Sequence, residues 1–157
     1  MADRLTGGCQ CGAVRFEVTA LGRAAICHCR MCQKAFGSAF GPLVTAREMA
    51  WTRGAPKLFR SSNLAQRGFC AECGTPLCYW QDGNSIELAI GAFDDPDAVP
   101  PVVQFNLRHK LRFFDGLATL PPQPDPGKEA AFNSRVVDYQ HPDHDTASWP
   151  PEDFTHG

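Results

Sequence analysis

Six consecutive residues, Cys27 to Cys32, constrain this chain more than any other stretch of its sequence. They read Cys-His-Cys-Arg-Met-Cys and so hold three thiols and one imidazole. One further cysteine pair, Cys9 and Cys11, lies upstream, and another, Cys70 and Cys73, lies downstream. Cysteines at this density exceed what packing requires, so the sequence indicates a bound metal ion.

The composition decides how the cysteines are interpreted. The 157 residues suffice for one domain with a hydrophobic core but are few for two. The formal net charge is -2 without long runs of like charge, which predicts neither a nucleic-acid nor a membrane partner. The N-terminus lacks the apolar segment of a signal peptide, and no apolar run approaches a membrane span in length. We therefore expect a cytoplasmic protein whose eight cysteines bind metal rather than form disulfides. The sequence makes no prediction of the oligomeric state.

Short apolar runs separated by turn residues are typical of a mainly β protein. Ile86, Leu88 and Ile90 alternate with Ser85, Glu87 and Ala89, which is the pattern of a half-buried strand. We predict strands over residues 12–18, 24–26, 38–45, 50–52, 57–60, 65–69, 77–81, 85–92 and 102–107. Short helical turns are expected over residues 31–36 and 128–137. The predicted fold is a single zinc-stabilised domain of several antiparallel sheets.

The composition changes at Pro121. Residues 121–126 read Pro-Pro-Gln-Pro-Asp-Pro, which is typical of an extended linker, and the residues that follow are rich in Pro, Asp and His. We therefore predict a zinc domain over residues 1–120 and an irregular, Pro-rich C-terminal extension over residues 121–157.

The two outer cysteine pairs together form a complete ligand set. Cys9, Cys11, Cys70 and Cys73 offer four thiolates, the number that a closed tetrahedral zinc site needs. Each pair is followed by a glycine, which lets the backbone bend tightly around a metal ion. We predict a structural zinc site that ties the first strand to the middle of the sheet.

The central cluster offers Cys27, Cys29 and Cys32, which is one ligand fewer. Three protein ligands with one open position are typical of catalytic zinc. Zinc held by three thiolates is a poor Lewis acid for carbonyls, but it can hold an incoming thiol as a thiolate at neutral pH. We predict a catalytic zinc site for thiol chemistry, with its occupancy left open. A fourth ligand from His28 or Cys78 would instead close the site and make it structural.

The remaining candidate residues have more ordinary interpretations. His28 lies between two predicted ligands, so its side chain is expected to point away from the metal. Cys78 lies in an apolar strand pattern, where a buried, inert thiol is expected. His109 lies among basic residues that form either a solvated face or a clamp for a substrate carboxylate. No function is predicted for His141 and His144 in the tail.

Taken together, the motifs resemble a known family. They are residues 8–12 (Gly-Cys-Gln-Cys-Gly), 27–32 and 69–77 (Phe-Cys-Ala-Glu-Cys-Gly-Thr-Pro-Leu), supported by residues 37–41 and 91–96. In this order they are similar to the glutathione-dependent formaldehyde-activating enzyme family, also called the centromere protein V family. The resemblance covers about residues 5–120.

The resemblance implies a mainly β fold with two zinc sites. The structural zinc would be held by Cys9, Cys11, Cys70 and Cys73, and the catalytic zinc by Cys27, Cys29 and Cys32. The implied activity is that of a carbon-sulfur lyase, in which glutathione and formaldehyde combine reversibly to S-(hydroxymethyl)glutathione.

Two other functions stay open at this stage. The first is a non-enzymatic, zinc-stabilised binding module, in which zinc would only stabilise the fold. The second is a zinc-bearing methionine sulfoxide reductase, which also uses separated cysteine pairs. The last cysteine is Cys78, so no isolated reactive cysteine follows near the C-terminal strands, and this second alternative is disfavoured.

Overall fold

The structure, a computed structural model, describes residues 4–150 of the chain. Within this range it has eight strands and two α-helices. The strands are β1 (Leu5–Gly8), β2 (Arg15–Cys27), β3 (Gly41–Arg53), β4 (Lys57–Arg60), β5 (Ala65–Phe69), β6 (Pro76–Gln81), β7 (Ile86–Ala89) and β8 (Val103–Phe105). The helices are α1 (Arg30–Phe36) and α2 (Pro126–Asn133). Short 3-10 turns occupy Ile90–Ala92, Pro96–Ala98, Leu107–His109 and Phe114–Thr119.

The strands form one hydrogen-bonded sheet rather than the several sheets that the sequence predicts. Its order is β1-β2-β3-β7-β6-β5-β4, with antiparallel neighbours along this path, and β8 adds a parallel pairing to the end of β2. The mainly β, antiparallel fold is confirmed. A single sheet arises because β2 and β3 are each 13 residues long and link its two halves.

Each of the two long strands corresponds to two shorter strands in the prediction, 12–18 and 24–26 for β2 and 38–45 and 50–52 for β3. Thr19 and Arg23 interrupt the apolar alternation of β2, which is why the sequence predicts a break there. In the structure these polar side chains are exposed, and the register shifts near Val18 and Ala20 absorb the irregularity as bulges. The strand therefore continues without a gap to Cys27.

Several other boundaries also differ from the prediction. β1 has no counterpart in it, because Leu5–Gly8 is a short edge strand with two glycines. The strand predicted to end at residue 92 stops at Ala89, and Ile90–Ala92 forms a 3-10 turn instead. α2 begins two residues earlier than expected, since the Asp125 side chain accepts a hydrogen bond from the Lys128 amide and caps the helix.

The hydrophobic core is formed largely by buried side chains of the sheet strands. Phe16, Leu77 and Leu88 are completely buried. The ring of Phe16 meets the edges of Trp51 at 6.0 Å and Phe93 at 5.1 Å between ring centroids, which joins β2, β3 and the turn after β7. This core fixes the strand ends on which the cysteines lie.

Residues 134–150 have no regular helix or strand, as expected for an irregular tail, but they pack on the domain. Arg53 donates a hydrogen bond of 2.6 Å to the backbone oxygen of Thr146. Arg15 and Arg4 both donate to the carboxylate of Asp145, at 2.9 Å and 2.8 Å. The tail is thus in contact with the first strands. The domain boundary near residue 120 stays a prediction.

Neither the seven-residue α1 nor the eight-residue α2 is long enough to cross a membrane, and residues 4–150 contain no longer helix.

Candidate metal centres and a basic cleft

The first cysteine cluster unites the two outer pairs. The Sγ atoms of Cys9, Cys11, Cys70 and Cys73 all lie within 4.8 Å of one another. Cys9 and Cys11 are 3.6 Å apart, and Cys11 and Cys70 are 3.7 Å apart. A tetrahedral zinc ion with Zn–S bonds of about 2.3 Å would hold its sulfurs about 3.8 Å apart. The four thiols could therefore hold a zinc ion with little rearrangement.

Two glycine turns shape this first cluster. Gly12 has a φ angle of +75° and Gly74 one of +78°, the left-handed conformation that glycine adopts without steric cost. The Gly12 amide donates to the carbonyl of Cys9 at 3.0 Å, and the Gly74 amide donates to that of Cys70 at 2.9 Å. Each pair thus lies on a tight turn that faces the other pair, as its following glycine predicts.

The pKa values of the thiols in the first cluster are shifted in different directions. Burial raises the pKa of Cys9 and of Cys11 above the ordinary thiol value. Burial acts on Cys73 in the same direction, but hydrogen bonds from Thr75 outweigh it and lower the pKa of Cys73 to about 6. Binding of a divalent cation would displace the remaining protons and cancel the repulsion between thiolates.

The second cluster forms where β2 passes into α1. Cys27 is the last residue of β2, Cys29 is the N-cap of α1, and Cys32 lies in the first turn of that helix. Their Sγ atoms all lie within 4.8 Å of one another. The end of the strand and the start of the helix bring the three thiols together, while the intervening His28 is buried.

Each sulfur of this cluster accepts an N–H hydrogen bond. The Asn106 side-chain amide donates to Cys27 at 3.2 Å, and the backbone amide of Cys32 donates to Cys29 at 3.4 Å. Arg67 donates to the Sγ atom of Cys32, also at 3.4 Å. Sequence reasoning missed Asn106 and Arg67. The signal for Arg67 was its place on the same face of β5 as the buried Ala65.

In this cluster the pKa values of Cys27 and Cys32 are shifted in opposite directions. The hydrogen bond from the Cys32 thiol, helped by the Asn106 amide, lowers the pKa of Cys27 to about 5. The same bond, together with burial, raises the pKa of Cys32. The cluster therefore presents a thiolate at neutral pH and is suited to binding a cation.

No fourth His, Cys, Asp or Glu joins the three thiols among residues 4–150. His28 is completely buried, with its Nε2 atom 2.9 Å from Gln104 and its ring edge-on to Phe114. Cys78 is buried elsewhere in the core, and burial raises its pKa to about 11. Neither residue completes the cluster. All eight cysteines are free thiols, so no disulfide is formed.

A cleft of about 590 Å³ opens over the second cluster. The three thiols, His109 and four arginines line this cleft. The arginines are Arg23, Arg30, Arg67 and Arg108. Among residues 4–150, Glu87 is the one carboxylate that lines the cleft, and burial raises its pKa. A strongly cationic cleft in a chain with net charge -2 is suited to an anionic ligand.

Comparison with known proteins identifies a family and a similar solved structure. The family model described as "Glutathione-dependent formaldehyde-activating enzyme" matches residues 4–109, more than half of the chain. The chain belongs to this family. It is also similar to a solved structure of a Rhodobacter sphaeroides protein, with 23% sequence identity and a TM-score of 0.50. That match covers 63% of this chain and 98% of the other, and it supports the fold alone.

The family match ends at His109, which lies at the rim of the cleft in this family member. Arg108 donates a hydrogen bond of 3.1 Å to the Nε2 atom of His109. The buried side-chain amide of Gln33 donates to the carbonyls of both His28 and His109, at 2.7 Å and 3.0 Å. Gln33 thus fixes the rim to α1. His109 therefore lies exposed at the cleft, where both interpretations of its role remain predictions.

Proposed function

We propose that this protein is a zinc-dependent carbon-sulfur lyase that joins a small thiol to an aldehyde, with glutathione and formaldehyde giving S-(hydroxymethyl)glutathione as the type reaction. The observation that carries the proposal is a cluster of three thiols, one ligand short of a tetrahedron, at a basic cleft. Membership of a family named for glutathione-dependent formaldehyde activation supports it.

The two clusters would have different roles. Cys9, Cys11, Cys70 and Cys73 would hold a structural zinc ion, because four thiolates leave no position for a substrate. Cys27, Cys29 and Cys32 would hold the catalytic zinc ion. When bound, that ion would lower the pKa of a substrate thiol so that the thiol is held as a thiolate at neutral pH. The reducing cytoplasm would keep all of these thiols free.

The arginines of the cleft would bind and orient the thiol substrate. Glutathione carries two carboxylates at neutral pH, and guanidinium groups bind carboxylates with paired hydrogen bonds. Arg23 and Arg108 are exposed at the cleft, and neither belongs to an ion pair found within residues 4–150. They are therefore available to a ligand. This match of charges favours glutathione over an uncharged thiol.

The proposed reaction is balanced without an oxidant or reductant. The thiolate sulfur attacks the carbonyl carbon of formaldehyde and forms the new carbon-sulfur bond. The electron pair of the carbonyl π bond moves to oxygen, which takes up one proton to give the hydroxymethyl group. In the reverse direction the hydroxyl loses this proton, the carbonyl forms again and the carbon-sulfur bond breaks.

A titration of the zinc-loaded protein with glutathione tests the proposal. Binding of the thiol as a thiolate releases a proton, so we expect proton release near pH 7 that saturates at millimolar glutathione or below. The Cys29→Ser variant should show none. Binding without proton release would contradict the thiolate mechanism. Failure of glutathione and of simple thiols to bind would favour a non-enzymatic zinc module instead.

A further inference from the structure

The contact between Arg67 and Cys32 distinguishes the second cluster from the first. The Nη2 atom of Arg67 lies 3.4 Å from the Sγ atom of Cys32, and both residues are buried, with 8% and 4% of their surface exposed. The other two sulfurs of the cluster accept hydrogen bonds from neutral amides. Arg67 is therefore the charged donor to this cluster among the described residues.

The first cluster is stabilised in another way. Cys9 accepts a hydrogen bond from the Val14 amide at 3.2 Å, and Cys73 lies 3.1 Å from the hydroxyl of Thr75. Both partners are neutral groups. Within residues 4–150, the four-thiol cluster thus has no cationic hydrogen-bond donor, whereas the three-thiol cluster has one.

Arg67 is also held in place and lacks a close carboxylate partner. Its guanidinium lies over the ring of Tyr79 at 5.0 Å, and these two residues are paired across β5 and β6. Its Nε atom is buried without a hydrogen-bond partner, and it belongs to none of the ion pairs found within residues 4–150. Glu87 influences it only through longer-range electrostatics.

A buried guanidinium in this situation requires a negative charge nearby, because an uncompensated buried charge is strongly unfavourable. The sulfur of Cys32 is the atom to which it donates. Three thiolates around a divalent cation have a combined charge of about -1, and a fourth thiolate makes it about -2. One fixed positive charge at hydrogen-bond distance offsets the extra negative charge.

Building on the function proposed above, we propose that Arg67 is a positioning residue that supplies the fixed positive charge with which the three-thiolate cluster accepts a fourth, anionic sulfur. It acts on the sulfur of any thiol rather than on the carboxylates of glutathione. This separates Arg67 from Arg23 and Arg108, whose exposed positions suit carboxylate recognition.

The test compares two thiols on the cobalt-substituted full-length protein, in which sulfur-to-cobalt absorption reports on binding. Glutathione has carboxylates, and 2-mercaptoethanol has none. Arg67→Gln should weaken the binding of both thiols by about tenfold or more, the effect expected of a lost charged hydrogen bond. The matched control Arg23→Gln should weaken glutathione and leave 2-mercaptoethanol unchanged.

The Arg67→Lys variant retains the charge but lacks the planar guanidinium that stacks on Tyr79. Because the charge is kept, its affinity for 2-mercaptoethanol should stay within about threefold of wild type, and its cobalt content at the four-thiol cluster should be unchanged. Should Arg67→Gln not fold, Arg67→Lys still decides the matter, because a folded Arg67→Lys protein that loses tenfold or more in affinity would contradict a role for the charge.

Other outcomes separate this inference from the proposed function. Selective loss of glutathione binding in Arg67→Gln would show that Arg67 binds a carboxylate and would overturn the inference. Wild-type affinity of Arg67→Gln for both thiols would overturn it as well, while the proposed function would survive. A wild-type protein whose spectrum responds to neither thiol would overturn both.

Discussion

The indole Nε1 atom of Trp149 donates a hydrogen bond of 2.8 Å to the backbone oxygen of Cys11, 138 residues earlier in the chain. Close by, the backbone amide of His141 donates to the carbonyl of Gln10 at 2.7 Å, and the His141 ring meets that of Trp149 at 5.1 Å. The His141 side chain is buried by these contacts. The tail therefore covers the turn that presents the first two cysteines.

We expect truncation after Leu120 to destabilise the protein, although the family match ends at His109. Loss of several tail contacts should lower the melting temperature by about 5 °C or more, as expected for about 2 kcal/mol in a chain of this size. Differential scanning fluorimetry of the zinc-loaded protein measures this. The Trp149→Phe variant keeps an aromatic ring, although a smaller one, and loses the N–H donor, so it should show a smaller decrease. An unchanged melting temperature in the truncated protein would show that the tail contacts contribute nothing.

Asp94 should stabilise the fold in a pH-dependent way. Its carboxylate accepts two hydrogen bonds from the buried Arg15, at 2.8 Å and 2.6 Å, and one from the hydroxyl of Thr6. Burial alone would raise the pKa of Asp94, but the bonds from Arg15 and Thr6 outweigh burial and lower it. A depressed folded-state pKa gives stability that is present above the unfolded value near 4 and is lost as the pH falls through the folded value.

The Asp94→Asn variant should therefore be less stable than wild type at pH 7, and the difference should shrink below about pH 4. Urea unfolding at several pH values gives this difference directly. Effects of acid on the cysteines are common to both proteins and cancel in the comparison. A difference that stays constant between pH 7 and pH 3 would contradict the role of the Asp94 charge.

Cys78 should prove to be a packing residue. It is buried opposite Gly68, where an added Cβ atom would collide with the Cys78 sulfur. Cys78→Ala should retain the full zinc content and cost about 1 kcal/mol of unfolding free energy. Gly68→Ala should cost about 2 kcal/mol alone and less in the Cys78→Ala background, because the smaller side chain leaves room. Loss of zinc from Cys78→Ala would show instead that this thiol is a ligand.

Asn106 combines an unusual backbone with a side-chain contact. Its φ angle is +58°, a conformation that asparagine and glycine tolerate better than other residues, and its amide donates to the Cys27 sulfur. Asn106→Gly should keep the backbone but weaken zinc binding at the second cluster by a few-fold, whereas Asn106→Ala should also destabilise the fold. Chelator competition and urea unfolding measure the two effects. Equal zinc affinity in Asn106→Gly and wild type would contradict a role for the amide.

The turns that carry the outer cysteine pairs were predictable from sequence because the information for each turn is local. The spacing of Cys9 and Cys11, and of Cys70 and Cys73, specifies two turns of complementary size, and the following glycines specify their conformation. The strands over Lys57–Arg60 and Ala65–Phe69 were predicted with their observed ends, because a Gly-Ala-Pro turn precedes the first and the polar residues 61–63 separate the two.

The surroundings of the second cluster were not predictable, because they come from distant parts of the chain. Arg67 and Asn106 reach Cys32 and Cys27 across 35 and 79 residues, and only the pairing of β5, β6, β7 and β3, and of β8 with β2, brings them together. The same reason explains the tail. Its Pro-rich composition indicates weak secondary structure, but it contains no signal for the docking of Trp149 on Cys11.

The central claim is that Cys27, Cys29 and Cys32 form a second zinc site, separate from the four-thiol site and open to a thiol. The most direct measurement is the zinc content per folded chain of wild type and Cys29→Ser, by elemental analysis with circular dichroism as the control for folding. We predict about two zinc ions in wild type and about one in a Cys29→Ser protein that retains its fold. One zinc ion in both proteins, or loss of both zinc ions and of the fold in Cys29→Ser, would contradict the claim.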